Sequence, residues 1–243
     1  MDLLLLSNST NHGSAYLAHA EVEARQFLEG VSELTFVPFA GGDHAAYTAK
    51  VAEAFRPWGI RVRGIDEDGD PLAALASAEA VFVGGGNTFR LVDKMQRTGV
   101  LSALADRVNG GMRYMGASAG TNIAAPTLRT TNDMPIVEPA TFDALALVPV
   151  QINPHYLDAD PTSSHNGETR QMRIAEFHEE NEIAVLGLRE GTHLRVSGSL
   201  GSHRSVIGGT AAGSIPRGPA LLFRRGQPAQ EIEGDVSEYF PRY

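Results

Sequence analysis

The string Gly116-Ala117-Ser118-Ala119-Gly120 holds a serine between two alanines and two glycines, at the end of a strand-like run over residues 113–116 and just before a helix-like stretch. A serine hydroxyl becomes a nucleophile when a neighbouring base takes its proton, and a sharp strand-to-helix turn lifts its Oγ clear of the backbone. Such a turn crowds the main chain on both sides, so only Gly or Ala fits beside it. The next backbone N–H, that of Ala119, and the start of the helix would then stabilise an oxyanion. Taken alone, the same five residues fit equally well a tight turn in which Ser118 is a helix N-cap.

A second glycine-rich turn, Val83-Gly84-Gly85-Gly86-Asn87-Thr88-Phe89, also ends a strand-like run and opens a helix. It has neither the lysine of a phosphate-binding loop nor the spacing of a dinucleotide fingerprint. Its use is therefore as backbone N–H donors, with Gly85 or Gly86 as a second oxyanion donor. The base is sought among eight histidines. His155, in Gln151-Ile152-Asn153-Pro154-His155, follows the apolar run at residues 145–152 and is best placed, because a residue just past a strand end faces the active edge of a parallel sheet. His12, His19, His44 and His178 are expected at the surface. His193 and His203 fall in a late β region, and no histidine pair has metal-ligand spacing with a carboxylate, so no metal or other cofactor is expected. A carboxylate must hold the imidazole in one tautomer. Asp133, in the polar loop Thr130-Thr131-Asn132-Asp133-Met134-Pro135, and Glu190, in Leu188-Arg189-Glu190-Gly191, both qualify.

The elements that must position these residues alternate along the chain. Residues 3–6, 34–37, 60–62, 80–83 and 113–116 are strand-like, and 14–28, 43–55, 88–96 and 101–108 carry apolar residues at helical spacing. Alternation of this kind predicts an α/β fold with one doubly wound, mostly parallel sheet. After residue 180 short runs at 183–188, 193–197, 205–207 and 221–223 suggest a C-terminal antiparallel β extension. A single domain over 1–243 is expected, with the polar tail from about residue 227 loosely held.

Composition narrows the partners. The chain has no cysteine, which removes disulfides and cysteine nucleophiles. A net charge of −9 without a local Lys/Arg run argues against nucleic acid and anionic membranes and for a small-molecule or peptide partner. An acidic substrate would then need its own cation at the site. The start of the chain lacks the basic flank and cleavage site of a signal peptide, so a cytoplasmic location is expected.

Leu3-Leu4-Leu5-Leu6-Ser7-Asn8-Ser9-Thr10, Pro38-Phe39-Ala40, the glycine block, Arg129-Thr130-Thr131-Asn132-Asp133-Met134-Pro135-Ile136-Val137 and the Asn153-Pro154-His155 block together resemble peptidase E, the family of cytoplasmic aspartyl dipeptidases. The similarity runs to about Gly191 and is faint afterwards. It implies a fold like that of flavodoxin and the class I glutamine amidotransferases, no cofactor, a homodimer, and hydrolysis of short peptides with an N-terminal aspartate. By motif, Ser118 matches the family's nucleophile and His155 its base. Glu190 matches the acidic residue of a Ser-His-Glu triad, and Asp133 a loop aspartate also assigned to the active site. His165-Asn166-Gly167-Glu168-Thr169-Arg170 resembles the segment whose arginine recognises the substrate's aspartyl side chain. Arg170 and Asn87 are thus expected to bind substrate. Position 117 is Ala where the family commonly has a bulky aromatic, and the chain diverges from about Arg195. Two alternatives stand beside this reading: a related serine exopeptidase acting on cyanophycin-like β-aspartyl peptides, and a non-catalytic flavodoxin-like binding protein.

Overall fold

Leu3, Leu4, Leu5 and Leu6 follow one another without a polar residue, and each is fully buried in the first strand, β1 (Asp2–Leu6). A strand covered on both faces has no polar side to present, and each buried leucine contributes about 1.5–3 kcal/mol. The computed structural model describes residues 1–159, 167–199, 202–212 and 218–240. After β1 come α1 (Glu21–Phe27), β2 (Glu33–Val37), α2 (His44–Phe55), β3 (Arg61–Gly64), α3 (Pro71–Ser77), β4 (Ala80–Val83), α4 (Thr88–Arg97), α5 (Val100–Asn109), β5 (Arg113–Ala117) and the short α6 (Ala119–Asn122). The second half contains β6 (Gln151–Tyr156), α7 (Arg170–Glu180), β7 (Val185–Arg189), β8 (Thr192–Ser199), β9 (Ser202–Gly209), β10 (Ala220–Phe223), β11 (Gln230–Ile232) and β12 (Gly234–Asp235).

In the main sheet the strands run in the order β12-β9-β8-β1-β5-β4-β2-β3, and the five from β1 to β3 are parallel. Side chains alternate across it. Leu4, Leu6, Phe36, Phe82 and Met115 pack against Ala24 and Phe27 of α1 and Val51 and Phe55 of α2. Leu3, Leu5, Val81, Val83 and Tyr114 face Leu75 of α3, Leu91 and Met95 of α4, and Leu104 and Val108 of α5. This is the expected mixed α/β architecture, with helices on both faces of a mostly parallel sheet. Among the described residues, no helix is long and apolar enough to cross a membrane.

The second half departs from one extended sheet. β8 does run antiparallel to β1, and β9 and β12 continue outward from it. However, β6, β7, β10 and β11 form a separate four-stranded sheet in the order β11-β10-β7-β6, with β6 and β7 parallel. The cause is competition for one edge: β8 occupies the free side of β1, so β7 must pair elsewhere. The second sheet buries Ile152, Leu186, Leu188 and Leu222 on the main core and Tyr156, Val185 and Phe223 against Ile174 and Phe177 of α7.

Three local expectations are corrected. The stretch at residues 14–28 is helical only from Glu21, after a 3-10 turn, because Leu17 adopts a left-handed φ of 58°. Residues 145–150 are irregular rather than strand: Leu145, Ala146 and Leu147 donate their N–H groups to the carbonyls of Ile123, Ala125 and Ala124 instead of to a ladder. The tail is not loosely held as far as residue 240. β11 pairs with β10, β12 with β9, and Val236 and Phe240 are buried in the main core, while residues 241–243 lie outside the described residues.

The junction of β4, β5 and α6 tolerates no added atoms. A Cβ on Gly116 would lie 2.6 Å from the Gly120 carbonyl oxygen, and one on Gly120 would overlap the Val83 carbonyl. Backbone on both sides leaves nothing to rotate away. Gly120→Ala is therefore expected to lower stability by about 1–3 kcal/mol. An unchanged urea midpoint would contradict this close packing.

Candidate active site

Ser118 stands between β5 and α6 with φ 55° and ψ −110°. A non-glycine residue there carries about 1–3 kcal/mol of strain, which persists only where the surroundings leave no alternative. Here the Ser118 N–H donates to Leu6 O at 3.1 Å, the Thr121 hydroxyl donates to the same oxygen at 2.6 Å, and the buried Tyr114 hydroxyl donates to Gly120 O at 2.6 Å. The side chain is thereby turned out of the sheet's carboxyl edge.

His155 reaches Ser118 from the second sheet. It lies within β6 rather than just past it, at a bulge: the pairing with β7 shifts register between Asn153 and Tyr156, and His155 itself has φ 52°. That twist aims the imidazole across the gap between the sheets. His155 Nε2 is 2.9 Å from Ser118 Oγ, and Nδ1 is 2.6 Å from Glu190 Oε1. An ionised carboxylate only accepts, so Nδ1 carries the proton to Glu190 and Nε2 is left to accept from the serine. Glu190 directly follows β7, whose last residue, Arg189, pairs with Tyr156 in β6. Both side chains are about a third exposed, which leaves the series open to a ligand.

The other expected site residues surround this series. Gly85 packs directly over the serine, where a Cβ would meet Ser118 Cβ at 3.0 Å and Oγ at 3.5 Å. Its N–H meets the Tyr47 phenol, which burial raises above its ordinary pKa while the Tyr16 hydroxyl and Gly85 pull it back. Ala119 is buried in the first turn of α6, where N–H groups have no partner within the helix. Asp133 turns to the start of α4, accepting from the Thr88 N–H at 2.7 Å and the Thr88 hydroxyl at 2.6 Å. Asn87 caps the same helix through Arg90 N and donates to Met134 O at 2.8 Å, so its side chain ties the Asp133 loop down. Arg170 opens α7. Burial lowers its pKa and Arg173 adds to the effect, while the carboxylate of Asp133 opposes both. His165 and Asn166 of its motif lie outside the described residues.

Of the four histidines expected at the surface, only His12 is exposed. His44 is half-buried against Asp66 at 2.6 Å, and His178 is buried with its ring on Ile183 O. His19 is half-buried and His193 buried. Polar residues without an assigned role, all but the half-buried Asn132 excluded from solvent, hold the site together. Asn122 and Thr130 both donate to Ile152 O, Asn132 donates to Pro154 O, and Asn153 donates to Thr130 O and Asn132 Oδ1. Arg189, almost fully buried, forks onto Asp158 at 2.8 and 2.9 Å and reaches Glu231 at 3.0 Å. Asn132 and Asn153, inside motif strings, were the available signal for the first group, and Asn122 had none; their partners exist only once the chain has folded.

A serine, a histidine and a glutamate joined in series at the carboxyl edge of a parallel sheet define an α/β protein with the layout of a serine-type hydrolase. The model of peptidase family S51 matches residues 3–204, and the chain belongs to that family. A peptidase E from Streptomyces coelicolor is 57% identical over 240 residues, covering 98% of this chain and 94% of that protein. One from Salmonella typhimurium is 46% identical over 236 residues, covering 96% and 98%. The similarity thus continues well past Gly191, where it was expected to fade. Among solved structures, a candidate peptidase E from Listeria monocytogenes EGD-e superposes with a TM-score of 0.65 at 21% identity, over 86% of this chain and 98% of that one. A peptidase from an acI-B1 actinobacterium gives 0.63 at 16%, over 96% and 93%. These two share the fold.

Burial lowers the pKa of His193 below its ordinary 6.5, with His19 and Arg195 adding to the effect and Glu23 opposing it, and burial likewise lowers His19. As the pH falls below 6.5, the unfolded chain takes up protons that the folded chain refuses, so stability is lost on acidification. His193→Gln is expected to flatten the fall in urea midpoint between about pH 7.5 and 5.5. An unaltered slope would show that His193 does not carry it.

Proposed function

We propose that this peptidase is a serine dipeptidase that hydrolyses short peptides with an N-terminal aspartate through an acyl-enzyme. The observation that carries the reading is the single imidazole of His155 held between Ser118 Oγ and Glu190 Oε1. Nε2 takes the hydroxyl proton as Oγ attacks the carbonyl carbon of the aspartyl residue. The resulting oxyanion is met by the Ala119 N–H, and Gly85 joins it by exchanging its bond to Tyr47 for one to the oxyanion. His155 then passes the proton to the leaving amine, and water repeats the sequence on the ester to regenerate Ser118. Glu190 keeps the imidazole in its productive tautomer. Asp133, bound to Thr88, holds the loop beside Arg170 and does not take that part.

Arg170 is the cation that an acidic substrate requires on a chain of net charge −9. Its planar fork matches a carboxylate bidentately. The names of the curated relatives support peptidase action, and the resemblance in motif supports the aspartyl preference.

Asp-Leu is expected to be cleaved well, and Asn-Leu and Ala-Leu poorly or not at all. Ser118→Ala should reduce kcat by roughly 10⁴–10⁶-fold. Arg170→Met should lower kcat/KM for Asp-Leu by about 10–100-fold, the worth of a charge-assisted hydrogen bond, while hardly touching Ala-Leu. Steady-state kinetics on the three dipeptides check both. Equal cleavage of Asp-Leu and Ala-Leu by the wild type would sink the aspartyl preference, and full activity in Ser118→Ala would sink the nucleophile.

A further inference from the structure

Leu6, the last residue of β1, and Ser7 and Asn8, which follow it, each hold a different part of the catalytic series. Leu6 O accepts the N–H of Ser118 at 3.1 Å. Ser7 Oγ accepts the N–H of His155 at 2.9 Å and donates to Leu188 O at 2.9 Å. Asn8 Oδ1 accepts the N–H of Gly191, next to Glu190, at 2.8 Å. Ser7 and Asn8 are buried to within 1% of full exclusion from solvent.

The need for Ser7 follows from the bulge in β6. Pro154 has no N–H, and the left-handed φ of His155 turns its N–H away from the ladder with β7. That leaves an N–H on His155 and a carbonyl on Leu188 facing each other with no direct bond. A hydroxyl is the side-chain group that accepts and donates at one atom, and Ser7 places one between them. The imidazole therefore takes its direction from the residue that follows β1 as well as from its own strand. Asn8 is itself locked, since its amide donates to Thr10 O at 3.0 Å and Asn11 Oδ1 at 2.7 Å.

We propose that Leu6-Ser7-Asn8 is a jig that sets the distances within the Ser118–His155–Glu190 series, with Ser7 and Asn8 as positioning residues for the reaction. This rests on the roles given to those three residues under the proposed function. Consecutive Cα atoms are held about 3.8 Å apart by the peptide bond, so successive residues form a ruler that neither sheet supplies alone. The segment is anchored on β1 of the main sheet, and the groups it addresses belong to both sheets. Without the jig, Ser118 and His155 would keep their own strands but lose their common reference.

The test uses Ser7→Ala, the near-isosteric Ser7→Cys and Asn8→Ala, each in the full-length chain with His155 intact and again in a His155→Ala background. Two readouts are taken: kcat and KM on Asp-Leu, and the rate at which a fluorophosphonate modifies Ser118. Misplacement of reacting groups by about 1 Å costs up to about 10²-fold, so Ser7→Ala and Asn8→Ala should each slow turnover and phosphonylation by about 10–100-fold with KM little changed. Ser7→Cys should fall between these and the wild type. With His155 removed, the same substitutions should change phosphonylation by less than about twofold, since there is no longer an imidazole to misplace. Wild-type phosphonylation in folded Ser7→Ala, or in Ser7→Cys if the alanine variant does not fold, would overturn the jig. So would equal losses in both backgrounds, the mark of a merely structural role. Phosphonylation needs no peptide pocket, so it decides the inference even if Asp-Leu proves not to be the substrate.

Discussion

Ser118 occupies a backbone conformation that serine avoids, and the residues around it are arranged to allow no other. Glycines on either side remove the atoms that would clash, the Tyr114 hydroxyl and the Thr121 hydroxyl take up the carbonyls of Gly120 and Leu6, and four buried leucines anchor the neighbouring strand. From that one constraint the rest follows. The serine faces the carboxyl edge of the main sheet, and the imidazole beside it arrives from the other sheet. From the second sheet, β6 brings His155 to the serine and the end of β7 brings Glu190 to His155.

The first half of the fold was legible because its signals are local. Short apolar runs alternate with helical spacing, and three of the helix starts are marked by side chains that cap them, Asp43 onto Ala46 N, Asp70 onto Leu72 N and Ala73 N, and Asn87 onto Arg90 N. The second half was not, because which strand pairs with which is a contest between edges that no single segment encodes. Residues 183–188 and 193–197 look alike as short apolar runs, yet β8 pairs with β1 while β7 joins another sheet. The tail misled for a related reason. It is polar along most of its length, and what holds it is a few residues, Ile232, Val236 and Phe240, placed on a core built elsewhere.

The site divides along the same line. Ser118 was legible from its small neighbours, and His155 from its place after an apolar run, since both are properties of one segment. The choice between Asp133 and Glu190 was not, because each is a carboxylate in a turn beside a strand or helix. Only the crossing of the two sheets puts Glu190 2.6 Å from His155 and leaves Asp133 on Thr88. Ser7 and Asn8 were visible within a motif string but had no meaning there, since the N–H groups they accept near the site lie 148 and 183 residues away.

Arg189 and Glu190 are neighbours in sequence with opposite surroundings: the arginine is buried among Asp158, Glu231 and the Gly218 carbonyl, and the glutamate meets His155. Extended residues point alternately to either side of a sheet. A slip of β7 by one position would therefore drive a guanidinium against the imidazole and a carboxylate into a nest of carboxylates. A one-residue slip thus carries two electrostatic faults at once, so the pair acts as a parity check on strand assembly and ties the side of the sheet that β7 presents to the sign of the charge behind the histidine.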